Sequence, residues 1–113
     1  MKETPEKFSS LKDIKISTIF SGIKSNIKHE DDLLLIEFDK NTTIAGVFTK
    51  SLTSSAAVNQ CRESLSSSEE ALVRAIVVNS GNANAFTGKL GEETVLKIRK
   101  YLSQKLKANI NQI

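Results

Sequence analysis

Ala75-Ile76-Val77-Val78 is a short, uncharged and β-branched run that reads as a strand covered on both faces. The residues after it, from Asn79 to Gly88, are almost all Asn, Ser, Thr, Gly and Ala, with Phe86 the one large apolar side chain. Small side chains let a backbone turn tightly and approach a ligand, and Asn amides and Ser hydroxyls supply directional hydrogen bonds. A buried strand that delivers such a loop forms the floor of many α/β sites. Composition alone leaves a plain corner equally open, because Gly and Asn are the ordinary turn residues.

The residues beyond the loop strengthen the α/β reading. Val95, Ile98, Leu102 and Leu106 recur at helical spacing, so a helix is expected from about Glu92 to Leu106. Glu92 and Glu93 are then expected in its first turn and bases in its last, which complements the helix dipole. Strands are expected at Ile14–Phe20, half-buried, and at Leu33–Phe38, Thr43–Phe48 and Ala75–Val78. The turn Asp39-Lys40-Asn41 suggests a hairpin between the second and third, with Gly46 marking a bulge or a close backbone approach. Ser54 or Ser55 can cap a helix running to about Leu65. Ile110 and Ile113 resemble the approach to a further strand. Residues 1–13 are polar and expected to be flexible, leaving 14–113 as the folded part.

At 113 residues the chain is one domain or part of one. With no Trp and one Tyr its core must come from Ile, Leu, Val and Ala, a thin supply for an independent unit. The net charge of +3 is dispersed, and only the stretch from Lys97 to Lys107 is basic without neighbouring acids. Nucleic-acid binding would need a denser stripe with aromatic or Arg partners, so a solvated helix face is the better account. No apolar run has membrane-span or signal-peptide length, and the single cysteine, Cys61, excludes an internal disulfide. A cytoplasmic protein is expected.

Catalytic and ligand motifs of the common kinds are absent. His29 and Cys61 could form a thiol–imidazole pair, but His29 falls in a charged turn and Cys61 in a helix, where a small buried thiol is usual. Glu30, Asp31 and Asp32 crowd one short turn without soft ligands, so no metal site is expected. The loop lacks the phosphate-loop and dinucleotide fingerprints. An anion at the N-terminus of the last helix would meet Glu92 and Glu93.

Arg74 through Ala85, with Thr87-Gly88, closely resembles the signature near the N-terminus of the ornithine acetyltransferase (glutamate N-acetyltransferase) family. Gly22-Ile23-Lys24, Asp32-Leu33, Ala45-Gly46-Val47-Phe48-Thr49 and Ala56-Ala57-Val58 resemble further family landmarks in the family's order. Phe86 stands where a Cys is common, and Asn59 departs from the expected apolar and Pro residues. The resemblance implies an α/β fold that is a fragment of a four-layer αββα sandwich with a mixed sheet. It implies an acyltransferase of arginine biosynthesis that moves acetyl from N-acetylornithine to glutamate, with acetyl-CoA a further donor in some members and no bound cofactor. By the same resemblance Asn79, Ser80, Gly81, Asn82 and Asn84 shape the substrate site.

The family's nucleophile is a threonine exposed by self-cleavage, and a Ser-Thr-Gly segment supplies its oxyanion hole. Both are expected beyond Ile113, and Thr87-Gly88 belongs to the signature loop instead. The chain is therefore read as the N-terminal part of the α-chain half, inactive alone. Its partners would be the rest of the α chain and the β chain. The alternative is a non-catalytic remnant or a small-molecule or anion-binding α/β module.

Overall fold

A computed structural model describes residues 13–23, 30–81 and 87–113. His29, Phe86, Asn82 and Asn84 lie outside the described residues. The expectation of a flexible segment at 1–13 also falls there, except for residue 13. β2 (Leu33–Phe38), the most apolar strand, takes the centre of a three-stranded antiparallel sheet. β1 (Ile14–Ile19) pairs on one side with Ile16 opposite Ile36, and β3 (Ala75–Asn79) on the other with Ile76 opposite Ile36. The α/β class holds. The parallel component of a mixed sheet is not found among the described residues.

Because cross-strand partners share a face, the register sorts the side chains into two sets. Ile14, Ile16, Thr18, Leu34, Ile36, Phe38, Ile76 and Val78 line one face. Leu33, Leu35, Ala75, Val77 and Asn79 share the other with Lys15, Ser17, Ile19 and Glu37. Ala75 is buried at 1% exposure, whereas Ile16 and Val78 on the opposite face are half exposed. β1 is thus more exposed than its half-buried pattern predicts: Ile16, Ile19 and Phe20 all meet solvent.

The segment Thr43–Phe48 is not a strand. Both edges of β2 are occupied by β1 and β3, so no hairpin can form there. The Asp39 turn closes by Thr42 N–H donating to the Asp39 carbonyl, and the chain then makes a single antiparallel bridge, Thr43 to Leu72. From there it runs along α1 (Ala56–Ser66), where the Arg62 guanidinium lies 5.9 Å from the Phe48 ring centre and donates to the Thr49 carbonyl. Of the two readings of Gly46, close approach is correct: a Cβ there would stand 3.3 Å from Leu65 Cδ1. Val47 and Leu52 are left solvated.

Ser55 caps α1 through Val58 N–H, as the sequence allows. α2 (Gly88–Leu106) begins earlier than the expected Glu92, so its first turn holds no acid, while Lys105 sits in its last. Thr87 takes the N-cap position without a side-chain cap bond. The helix ends on Lys107 in the left-handed region, φ 49°, with Ala108 N–H donating to the Ser103 carbonyl. The expected strand approach at Ile110 and Ile113 is a 3-10 turn (Ile110–Gln112) capped by Asn109. Local capping wins over the strand pattern because the Asn109 side chain and Gln112 satisfy each other's backbone.

Arg99, not an aliphatic residue, is the buried side chain of the α2 stripe, at 6% exposure, while Ile98 is exposed. Its Nε donates to the Ile113 oxygen at 3.1 Å, and its Nη2 to the Ile110 carbonyl and to Ser64 Oγ, both at 2.8 Å. Asn111 Oδ1 accepts from the same nitrogen. One guanidinium therefore ties α2 to α1 and to the terminal turn. Burial lowers its pKa below the ordinary arginine value, against the opposing influence of Cys61 and Glu63. The burial penalty is thus present at every pH below the lowered pKa and is relieved only as pH rises through it.

Among the described residues the buried apolar side chains are Val73 and Ala75 alone. A chain this thinly packed should unfold over a broad thermal transition and bind an environment-sensitive apolar dye; a sharp, reversible transition at high temperature would refute this. Leu102 is half-buried, so Leu102→Ala should cost about 1–2 kcal/mol, below the 2–5 of a full core site. Arg99→Ala, which orphans several acceptors, should cost about 2–3 kcal/mol by denaturant titration. Arg99→Lys should recover only part of it, because an ammonium lacks the planar fork.

Candidate functional site

Three pieces of the sequence motifs meet at one end of the sheet. Ile19 pairs with Leu33 and Leu33 with Asn79, so the turn after β1, the residue before β2 and the loop after β3 are neighbours. Asp32, 2% exposed, joins them. Its Oδ1 accepts from Ser21 N–H and Ser21 Oγ–H and its Oδ2 from Ile23 N–H, each at 2.6 Å. Its main-chain carbonyl accepts Ser80 N–H at 2.8 Å. Short bonds from several donors are what make a buried carboxylate tolerable. Gly22 at φ 81° and Gly81 at φ 94° let the two turns bend around it, a backbone region that suits glycine.

Of the predicted loop residues, Asn79, Ser80 and Gly81 are described. Asn79, at the end of β3, lines an apolar groove of about 310 Å³ between the sheet and the two helices. Ser80 is held to Asp32, and Gly81 begins the turn away. The groove is walled by Ala75 and Val77 of β3, Leu65 of α1 and Val95 and Ile98 of α2. Cys61 also lines it but is exposed rather than buried, which corrects the sequence expectation of a buried thiol. Among the described residues no group of three His, Cys, Asp or Glu could hold a metal ion, and no helix is long and apolar enough to cross a membrane.

The far end of the loop opens on a second, polar hollow of about 180 Å³ where the N-termini of α1 and α2 approach each other. Thr53, Ser54, Asn59, Thr87, Gly88 and Glu92 line it. Although Glu92 has moved out of the first turn, its presence still sets negative charge against an anion there. Gly91 is the close-packing point: a Cβ would stand 2.0 Å from Thr87 Oγ1 and 3.7 Å from the Ala56 Cβ. Asn79 therefore borders the apolar groove and Thr87 the polar hollow.

Two residues central to this arrangement have structural roles that sequence reasoning does not assign, although Asp32-Leu33 stands among the landmarks. Asp32 read as one of three crowded acids; its signal was its place directly before an apolar strand. Arg99 read as part of a basic cluster, although its spacing to Val95 and Leu102 puts it on the apolar stripe.

A family model described as the ArgJ family matches residues 15–113. The arginine biosynthesis bifunctional protein ArgJ of Bartonella henselae is 45% identical over 108 residues, covering 96% of this chain and 25% of the relative. That of Brucella suis is 50% identical over 80 residues, 71% of this chain and 18% of the relative. The crystal structure of the ArgJ protein of Bacillus halodurans superposes with a TM-score of 0.78 at 28% identity, over 89% of this chain and 50% of that one. An ornithine acetyltransferase of Mycobacterium tuberculosis, solved in complex with ornithine, gives 0.71 at 27% identity, over 89% and 53%. The chain thus spans about a quarter of the length of the first of these relatives.

Removal of the Asp32 carboxylate tests the junction. Asp32→Ala should cost about 2–3 kcal/mol by orphaning three donors. It should speed amide exchange at Ser21 and Ile23 far more than at Ser80, whose acceptor is the main chain of residue 32. Equal acceleration at all three would mean that the carboxylate holds the sheet end as a whole rather than the first turn.

Proposed function

This chain belongs to the ArgJ family, and from that premise we propose that it is the N-terminal part of an acyltransferase of arginine biosynthesis. The activity is transfer of acetyl from N-acetylornithine to glutamate; acetyl-CoA is a further donor in some members of the family. The observation that carries this reading is the match of residues 15–113 to the family model, which includes the whole of the loop after β3. In this reading Asn79, Ser80, Gly81, Asn82 and Asn84 shape the floor of the substrate site, and Asp32 holds that floor to the Gly22 turn. The nucleophilic threonine and the oxyanion donors come from the rest of the α chain and the β chain, and the assembled enzyme is cytoplasmic. Residues 14–113 would then be one part of a larger α-chain domain.

The exposed apolar face of the sheet supports the finer architecture. Ile14, Ile16, Leu34, Ile36, Phe38, Ile76 and Val78 form a surface that a second sheet would cover in a four-layer αββα sandwich. The second reading is a non-catalytic remnant that keeps the site floor, the described part of which is Asn79, Ser80 and Gly81 held to Asp32.

The two readings part in a chimera. Residues 15–113 should replace the matched stretch of the Bartonella henselae protein with acetyl transfer retained, while this chain alone transfers no acetyl from N-acetylornithine to glutamate. Asn79→Ala in the chimera should lower kcat/KM by about tenfold or more, the scale of one lost substrate hydrogen bond. A folded but inactive chimera would favour the remnant.

A further inference from the structure

β1 is an outer strand of the sheet, with β2 on one side only. Phe38 N–H donates to the Arg74 carbonyl and Ser80 N–H to the Asp32 carbonyl, so the even-numbered residues of β2 bond to β3. Its odd-numbered residues therefore bond to β1, where Leu33, Leu35 and Glu37 face Ile19, Ser17 and Lys15. The Ile19 carbonyl, which accepts Asp32 N–H, turns inward as this requires. By the same alternation the main-chain N–H and C=O of Ile14, Ile16 and Thr18 point away from the sheet. These groups have no partner among the described residues.

Natural sheet edges are commonly blunted by a proline, a bulge or several charges. β1 has none of these: its register runs unbroken from Ile14 to Ile19, and Lys15 is its one charged residue. It is also exposed on both faces, with Ile16 at 51% on one and Ile19 at 59% on the other, whereas every residue of β2 is half-buried. Such an edge takes an extended strand, because a strand presents donors and acceptors at the matching spacing.

We propose that the outer edge of β1 is the seat of a second copy of this chain, paired antiparallel through β1 about a twofold axis at Ile16. The sequence of β1 selects this occupant because the strand complements itself in that register. Across the axis Ile16 meets Ile16, Ile14 meets Thr18 and Lys15 meets Ser17, so no like charges stand directly opposite. Moving the axis to Lys15 sets two lysines face to face, and moving it to Ser17 puts Ile16 opposite Thr18. An axis between residues would pair even with odd positions, and the outward groups would not meet. The Ile16 register makes about six main-chain hydrogen bonds, and because both copies use the same edge the assembly closes at two. It leaves both faces of the sheet free and requires no acetyl transfer, so it stands apart from the enzymatic reading.

Sedimentation equilibrium of the 113-residue chain from about 1 µM to about 1 mM should show monomer passing to dimer and no larger species. Over the same range amide exchange at Ile16 and Thr18 should slow by about tenfold, while Ser17, already bonded to β2, changes little. Ile16→Pro removes the outward N–H at the axis and should abolish the dimer, with protection at Ser17 reporting that β1 still pairs with β2. Two further variants test the register. Ser17→Lys sets a lysine directly opposite the second copy's Lys15 and should weaken the dimer about threefold or more, and Ser17→Glu should strengthen it by a similar factor. A monomer at every concentration overturns the proposal, as do assemblies that grow beyond two. A dimer that survives Ile16→Pro, or that responds alike to Ser17→Lys and Ser17→Glu, also overturns it and puts the second copy on another surface.

Discussion

The guanidinium of Arg99 is the constraint on which the helical layer depends. A charge buried to this degree is tolerable only if its donors are matched, and Arg99 finds acceptors on α1 and on the terminal turn at once. The consequence reaches the sheet. By fixing the turn at residues 110–112, the same side chain places the Gln112 carbonyl where Arg74 N–H can donate to it. A side chain on the outer layer thus determines how the chain meets the start of β3.

At the other end of the sheet Asp32 does for two loops what Arg99 does for two helices. Its carboxylate holds the turn in which the first landmark motif begins, and its main chain anchors the first residue of the signature loop after β3. Two motifs separated in sequence by β2, α1 and β3 therefore share one support. This gives a physical reason for their joint occurrence: altering either turn alone would take hydrogen bonds from a buried aspartate, at its carboxylate or at its carbonyl.

Much of the fold is legible in the residues. β2, β3 and the caps of α1 follow from apolar runs and from Ser55, because each depends on neighbours in sequence. Thr43–Phe48 departs from its strand-like pattern for a non-local reason: whether an alternating segment forms a strand depends on a free partner edge, and β2 has none to offer. Similarly, Ile110 and Ile113 carry a strand-like pattern, but Asn109 and Gln112 close a local cap first. α2 starts at Gly88, with Thr87 at its N-cap, one turn before the acids that mark a start at Glu92 in the sequence. Of the site, the signature loop is legible by resemblance and its support by Asp32 is not, since a crowded acid becomes a clasp only once the turns have folded around it.

The uncovered face bearing Ile16 and Val78 subjects each of its residues to two opposed demands. In the chain by itself, a polar residue at either position removes a sticky surface and favours a dispersed monomer. If a second layer closes over the face, the same change buries an unmatched polar group and weakens the whole. Selection for solubility of the piece and selection for cohesion of the assembly would therefore pull these positions in opposite directions. The residue found at each becomes a record of which state the protein has spent its history in, and here that record is isoleucine and valine.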